Sequence, residues 1–457
     1  IGKITGDFIN NETSTGSIIN NSYNDQIGEI NSNFIGNQVG SGAIINNYLG
    51  KIGSITGDFI GNTGENSSRI ISNNQGTISS IKGDFISNNI QGNAIIANRN
   101  GAYLGNISGN FIANQASATE GAIINNELSF SSTPSQIGTI TATFVNNTTY
   151  YLVNNNTSKI NTANITAVNN TMGHTVIFNR KGTTEILNTT LLGNTSEQFM
   201  INNYSGTINT FSGLLAYNTV NTNILIHNTD GMIKVWSADL IGNTSKSNLI
   251  NNNDGTLGDI SGNIINNTSV NGIIFNNRIG VTGNITGDFI DNTSKQEILK
   301  NSDGGQLGNI SGDFIGNTST TSYLINNKTG TIGDITGDFT NNTAELDIIF
   351  NDSGTLGKLT GDFTGNTSSS GHLINNTNAV ALGDIKGTFD NNTAEDLIHH
   401  VGTASLSIVG DFSNNTASNA LLYNEKGTFA VSGDFSDNTA AYLLYNTQGA
   451  SATFDNS

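Results

Sequence analysis

One string recurs along the whole chain: an apolar residue, usually Phe, followed three positions later by Asn. Its apolar member falls at Phe8, Phe34, Phe59, Phe85, Phe111, Phe144, Ala167, Leu191, Leu215, Leu240, Ile264, Phe289, Phe314, Phe339, Phe363, Phe389, Phe412, Phe435 and Phe454, which makes 19 repeats, most of them 23 to 26 residues apart, with the Asn present in 18 of the 19. That period belongs to solenoids and is too short for propeller blades or helical-pair repeats. Asn, Gly, Thr and Ile dominate the repeat while the strong helix formers are scarce, so the units are strands.

Each period carries three segments: Ile-Gly-x-Ile, as in Ile332-Gly333-Asp334-Ile335, then Phe-x-x-Asn, then Ile-Ile-x-Asn, as in Ile44-Ile45-Asn46-Asn47. Three strands and three corners per turn predict an all-β fold, a single right-handed parallel β-helix of about 19 coils. In Ile-Thr-Gly-Asp-Phe the period of two sends Ile, Gly and Phe inward and Thr and Asp outward. The expected core is therefore a Phe and Ile file, with Phe34, Phe59, Phe85, Phe314, Phe339 and Phe363 stacked coil on coil. Asn tolerates left-handed corners and bonds nearby backbone. An unbroken file of buried Asn, coils about 4.8 Å apart, satisfies its own amides. Asn11, Asn37, Asn62, Asn88, Asn317 and Asn342 are the expected first ladder, and Asn47, Asn327 and Asn376 belong to the second.

The repeat runs as one continuous solenoid over residues 1–457, with a loop insertion at 127–136 holding the only proline, Pro134, and degenerate coils over 142–238, where Phe gives way to Ala or Leu. The chain opens and closes inside a repeat, and the apolar Ile1, Ile4, Phe8 and Phe454 have no polar cap sequence beside them. The expectation is a piece of a longer chain, or a subunit that associates end to end. With 35 acidic against 17 basic residues and a net charge of −18, nucleic acid is excluded as a partner. Without cysteine there is no disulfide and no cysteine zinc site. No apolar stretch is long enough for a membrane-spanning helix in this segment.

The Phe-x-x-Asn string, with Gly42-Ala43-Ile44 and Gly121-Ala122-Ile123 leading the second segment, resembles the repeats of chlamydial polymorphic outer membrane proteins and related bacterial autotransporter passengers. That resemblance implies an exported adhesin, extracellular or at the cell surface, with a host-surface or glycan ligand. A stalk or passenger role is the leading expectation. A fibre subunit and a polysaccharide-cleaving β-helix are the alternatives.

Outward aspartates recur at one coil position, and Asp288, Asp313, Asp338 and Asp362 hold it in four successive coils. Like charges at that spacing repel by ~0.9 kcal/mol per pair at the dielectric of water. A solvated face is the leading reading of the stripe, and calcium is the cofactor considered for it. An enzyme needs clustered ionisable groups, and the densest cluster is Asp390, Glu395, Asp396, His399 and His400. His400 stands at a second-ladder position, so that cluster reads first as drift of the ladder. Outward Asn146, Asn341, Asn391 and Asn414 lie in Asn-x-Thr sequons.

Overall fold

The structure is a computed structural model that describes residues 1–65, 67–117, 119–378 and 381–455. Among the described residues there is no helix, and the strands stack in parallel. The chain resolves into two compact units, Ile1–Lys234 and Val235–Ser457.

In the first unit one turn lays down Lys51–Thr56, Phe59–Ile60, Thr63–Gly64 and Arg69–Asn74. Each pairs with its equivalent in the coils on either side, so like residues stack: Phe34, Phe59 and Phe85 are in register, as are Ile45, Ile71 and Ile96. The two-residue strand after the ladder Asn, such as Thr63–Gly64, adds a segment to the three read from the sequence. The second unit repeats the plan with Phe314–Ile315, Thr318–Ser319 and Ile325–Lys328, and strands such as Ile335–Thr336 form a seven-stranded sheet of their own.

The core is the file that the period of two dictates. Phe34, Phe59, Phe85 and Phe314 are fully buried and Phe339 and Phe363 are 1% exposed. Neighbouring rings lie nearly parallel with centroids 4.9 Å apart for Phe34 and Phe59, 4.7 Å for Phe59 and Phe85, and 5.0 Å for Phe314 and Phe339. That spacing is imposed by the backbone ladder and not chosen by the rings. Ala167, Leu191 and Leu215 continue the file in the first unit, in register with Phe144.

Two expectations shift. Phe454 registers with Val431 of the Ile-Gly-x-Ile segment and not with Phe435, so the Phe file stops at Phe435 and the alignment of 19 repeats shortens by one. The left-handed corner residue is also not the ladder Asn. It is the residue before it in the first corner, as at Asn10, Ser87, Asp291 and Asn341 with φ of 52° to 54°, and the second residue after it in the second corner, as at Leu49 and Thr329 with φ of 59° and 60°. The ladder Asn is thereby turned inward, and its side chain does the bonding.

Candidate functional site

Side chains that look available for chemistry are first engaged in joining one coil to the next. In the first ladder, Asn62 Nδ2 donates to Asn88 Oδ1 at 2.9 Å in one adjacent coil and to the Phe34 carbonyl at 2.8 Å in the other, while the Asn62 backbone N–H donates to Asn88 Oδ1 at 3.0 Å. Asn317 does the same with Asn342, at 3.1 Å, and with the Phe289 carbonyl. Asn37, Asn62, Asn88, Asn317 and Asn342 are fully buried, whereas Asn11, in the first coil, is exposed and donates to Asn37 Oδ1 at 2.9 Å. In the second ladder, Asn47 Nδ2 donates to Asn73 Oδ1 at 2.8 Å and to the Gly50 carbonyl at 3.1 Å. A Cβ at Gly50 would lie 2.3 Å from Asn21 Nδ2, so glycine at this position lets the ladder amides approach the corner closely. Asn327 continues to Asn351 at 2.8 Å, and Asn376 Nδ2 lies 3.0 Å from His400 Nδ1. His400 Nε2 lies 3.2 Å from the Ala404 carbonyl, so a neutral ring protonated on Nε2 replaces an amide in the ladder. Burial, which pushes its pKa down, favours that neutral form.

The aspartate file has a structural job as well. Asp313 N–H donates to Asp288 Oδ1 at 2.9 Å, Asp338 N–H to Asp313 Oδ1 at 2.8 Å, Asp362 N–H to Asp338 Oδ1 at 2.9 Å, and Thr388 N–H to Asp362 Oδ1 at 2.8 Å. A glycine precedes each one and takes a positive φ in two of the four, 157° at Gly337 and 149° at Gly361, and the next amide leaves the regular ladder for a side-chain acceptor. Only an acceptor is required, which explains the Asn residues interspersed in the file: Asn33 and Asn263 accept the Asp58 and Asp288 amides, both at 3.0 Å. One oxygen of each carboxylate in the four-coil run is thus already occupied by an amide.

The insertion leaves the second corner between strands Ala122–Glu127 and Gln136–Val145. Asn100 Oδ1 accepts the Ser129 and Phe130 amides, and Ser135 Oγ donates to the Glu127 carbonyl at 2.9 Å, so the loop is pinned at both ends while Phe130 is 95% exposed. Asn146, Asn341, Asn391 and Asn414 are exposed corner residues with φ of 54° to 56°. Arg69 and Arg99 come from paired strands at different registers yet line one groove with Thr15, Ser17, Asn20 and Asn46. Burial first, and then the charge of Arg99, brings the Arg69 pKa down to about 10. Sequence register alone hid this pair.

The acidic and histidine cluster divides in the structure. Asp390 lies in the Phe segment, where its Oδ1 accepts from Ser413 Oγ at 2.6 Å and Asn414 Nδ2 at 3.0 Å, and Glu395 is exposed. Asp396 and His399 stay together and are joined by His372 of the preceding coil, a residue the sequence reading missed. His399 Nδ1 is 2.8 Å and His372 Nδ1 3.2 Å from Asp396 Oδ2, and the two imidazoles stack with centroids 4.2 Å apart. Asp396 Oδ1 accepts the Ala420 amide and Asn419 Nδ2, both at 2.8 Å. Burial alone would push the Asp396 carboxyl up, but the neighbouring imidazoles of His372 and His399 and the Ala420 amide hold it well below the usual carboxylate range. Burial likewise opposes protonation of His372, and the neighbouring Asp396 and Asp347 outweigh it, raising its pKa. Asp347, buried in the coil before, accepts the His372 amide at 2.6 Å, and burial pushes its own carboxyl up. The signal for His372 is the residue before each apolar pair, which reads Glu297, Tyr323, Asp347, His372 and Asp396 over successive coils.

Compared with known proteins, the chain matches no family model, no curated protein and no solved structure.

Proposed function

We propose that the chain is an exported β-solenoid of the cell surface or extracellular space with a structural or adhesive role, akin to an autotransporter passenger, and not an enzyme. The observation that carries this reading is the groove of Arg69 and Arg99. Two partly buried guanidinium groups with hydroxyl and amide neighbours form a local cationic groove that fits a glycan bearing carboxylates. The spending of Asn and Asp on joints between coils supports the structural half.

The test is binding of the purified chain to immobilised acidic and neutral glycans and to cultured cells, beside the double variant Arg69→Gln, Arg99→Gln. Binding to acidic glycans that falls at least about tenfold in the variant, together with antibody labelling of intact cells of the source organism, supports the proposal. Release of reducing ends from an acidic polysaccharide, abolished by Asp390→Asn or His399→Gln, would replace it with the enzyme. Confinement of the protein to the cytosol would remove it.

A further inference from the structure

Asp396 is 1% exposed, and a carboxylate that buried needs donors or a cation on both oxygens. Oδ1 has them, from the Ala420 amide and Asn419 Nδ2. Oδ2 faces two imidazole nitrogens, and only His399 Nδ1 meets it as a hydrogen bond. His372 Nδ1 is buried without a hydrogen-bond partner, although it lies 3.2 Å from that oxygen.

We propose that His372 Nδ1, His399 Nδ1 and Asp396 Oδ2 form a binding site for one divalent transition-metal ion of the zinc type. One ligand atom from each of the three residues lies within 4.8 Å of the others, close enough to share an ion at bonds of about 2.0 to 2.2 Å once the imidazoles turn towards it. Two imidazoles and one carboxylate, with a further position left to water, make a donor set that zinc takes readily. Calcium and magnesium prefer oxygen ligands throughout, so two nitrogens of three argue against them.

The surroundings act as the outer shell of such a site. Asn419 and the Ala420 amide, from the following coil, fix the carboxylate so that Oδ2 points at the imidazoles. Asp347 accepts the His372 amide and also the Asn375 side chain at 3.0 Å, adding a second buried negative group behind the site. Tyr423 stacks on His399 at 4.4 Å and limits its rotation. The side chains of His372 and His399 are 13% and 19% exposed, so an ion enters from the outward face. Bound there, it clamps two successive coils in a fold whose coils touch only their neighbours.

The experiment is calorimetric titration of Zn2+ into the whole chelator-treated chain, with Ca2+ and Mg2+ as comparisons. The expected result is one zinc per chain, a raised melting midpoint, and no response to the other two ions. His372→Gln and His399→Gln should each weaken zinc by about tenfold or more, with folding checked by circular dichroism, while His174→Gln changes nothing. Visible absorption of the wild-type chain with Co2+, and X-ray absorption showing two nitrogen donors on zinc, need no variant to fold. Absence of saturable binding at micromolar zinc, or binding that survives both substitutions, overturns the proposal.

Discussion

Coils carrying Gly-Asp-Phe and the coils between Gln136 and Leu192 solve one problem in two ways. In the first kind, glycine bends the strand between Lys51–Thr56 and Phe59–Ile60, and a side-chain oxygen from the neighbouring coil catches the displaced amide. In the second kind the glycine position holds Ala142, Ile165 and Thr189, all buried, and the two segments fuse into ten-residue strands such as Lys159–Val168 and Thr183–Leu192. The first ladder runs through both without a change of geometry: Asn147 Nδ2 donates to Asn170 Oδ1 at 2.8 Å and Asn170 Nδ2 to Asn194 Oδ1 at 2.9 Å. The inward pattern and the ladder are therefore the constant parts of a coil. Bend and ring stack can be exchanged for a straight strand and aliphatic packing.

The largest expected effect comes from placing charge in the constant core. Phe339→Asp should abolish folding of the surrounding coils, because an unpaired carboxylate in an apolar file costs far more than the margin of a typical domain. Phe339→Leu, which copies Leu191, should lower stability by about 1 to 2 kcal/mol in urea titration. If the leucine variant were as damaging as the aspartate, the interchangeability of the two coil types would be wrong.

Next is the ladder. Asn88→Ala removes the acceptor of the Asn62 amide and side chain and the donor to the Phe59 carbonyl, and each orphaned group costs about 1 to 3 kcal/mol. Asn170→Ala should cost the same, since Asn147 depends on it in the same way. Unequal losses measured by urea titration of the two variants would show that the ladder carries different weight in the two kinds of coil.

Much of this was legible in the sequence, because a solenoid converts residue spacing directly into spatial neighbours. Phe34, Asn62 and Ile71 announce their roles by recurring one period away, and even Ala167 is placed correctly by the Asn that follows it. What stayed hidden depends on backbone angles or on contact between different registers. No repeat count reveals that Asn341 and not Asn342 carries the left-handed φ, since both are Asn. His372 was passed over because the cluster was read along one coil, although its partners lie one period away. Arg69 and Arg99 differ in register, so only the length of their side chains brings them together.

Acid should loosen one stretch of the first unit before another. His227 is in the first unit beside Phe199, and burial lowers its pKa to about 4 from an ordinary value of 6.5. A histidine with a depressed folded pKa is neutral in the native state, so the unfolded chain binds more protons between those values and stability falls as pH drops from 6.5 towards 4. Hydrogen exchange at Phe199–Tyr204 and Ile224–Thr229 should quicken in that window more than at Phe34–Ile35. His227→Asn should remove the difference, and equal acid sensitivity before and after substitution would discount it.

The smallest effect concerns the aspartates, where charge and acceptor can be separated. Asp338→Asn keeps an oxygen for the Asp362 amide, as Asn33 and Asn263 do natively, and also relieves repulsion from Asp313 and Asp362. Its stability should stay within about 0.5 kcal/mol of the parent. Asp338→Ala leaves an exposed amide to water and should cost about 1 kcal/mol, the net value of one hydrogen bond. Ca2+ should raise the melting midpoint of neither the parent nor the Asn variant, because one oxygen of each carboxylate is already given to an amide and the single oxygen left on each supplies too few ligands for an ion that takes about six to eight. A calcium-dependent rise that disappears in Asp338→Asn would restore the bridging role of the stripe and make charge, and not the bend, the reason that aspartate follows glycine in these coils.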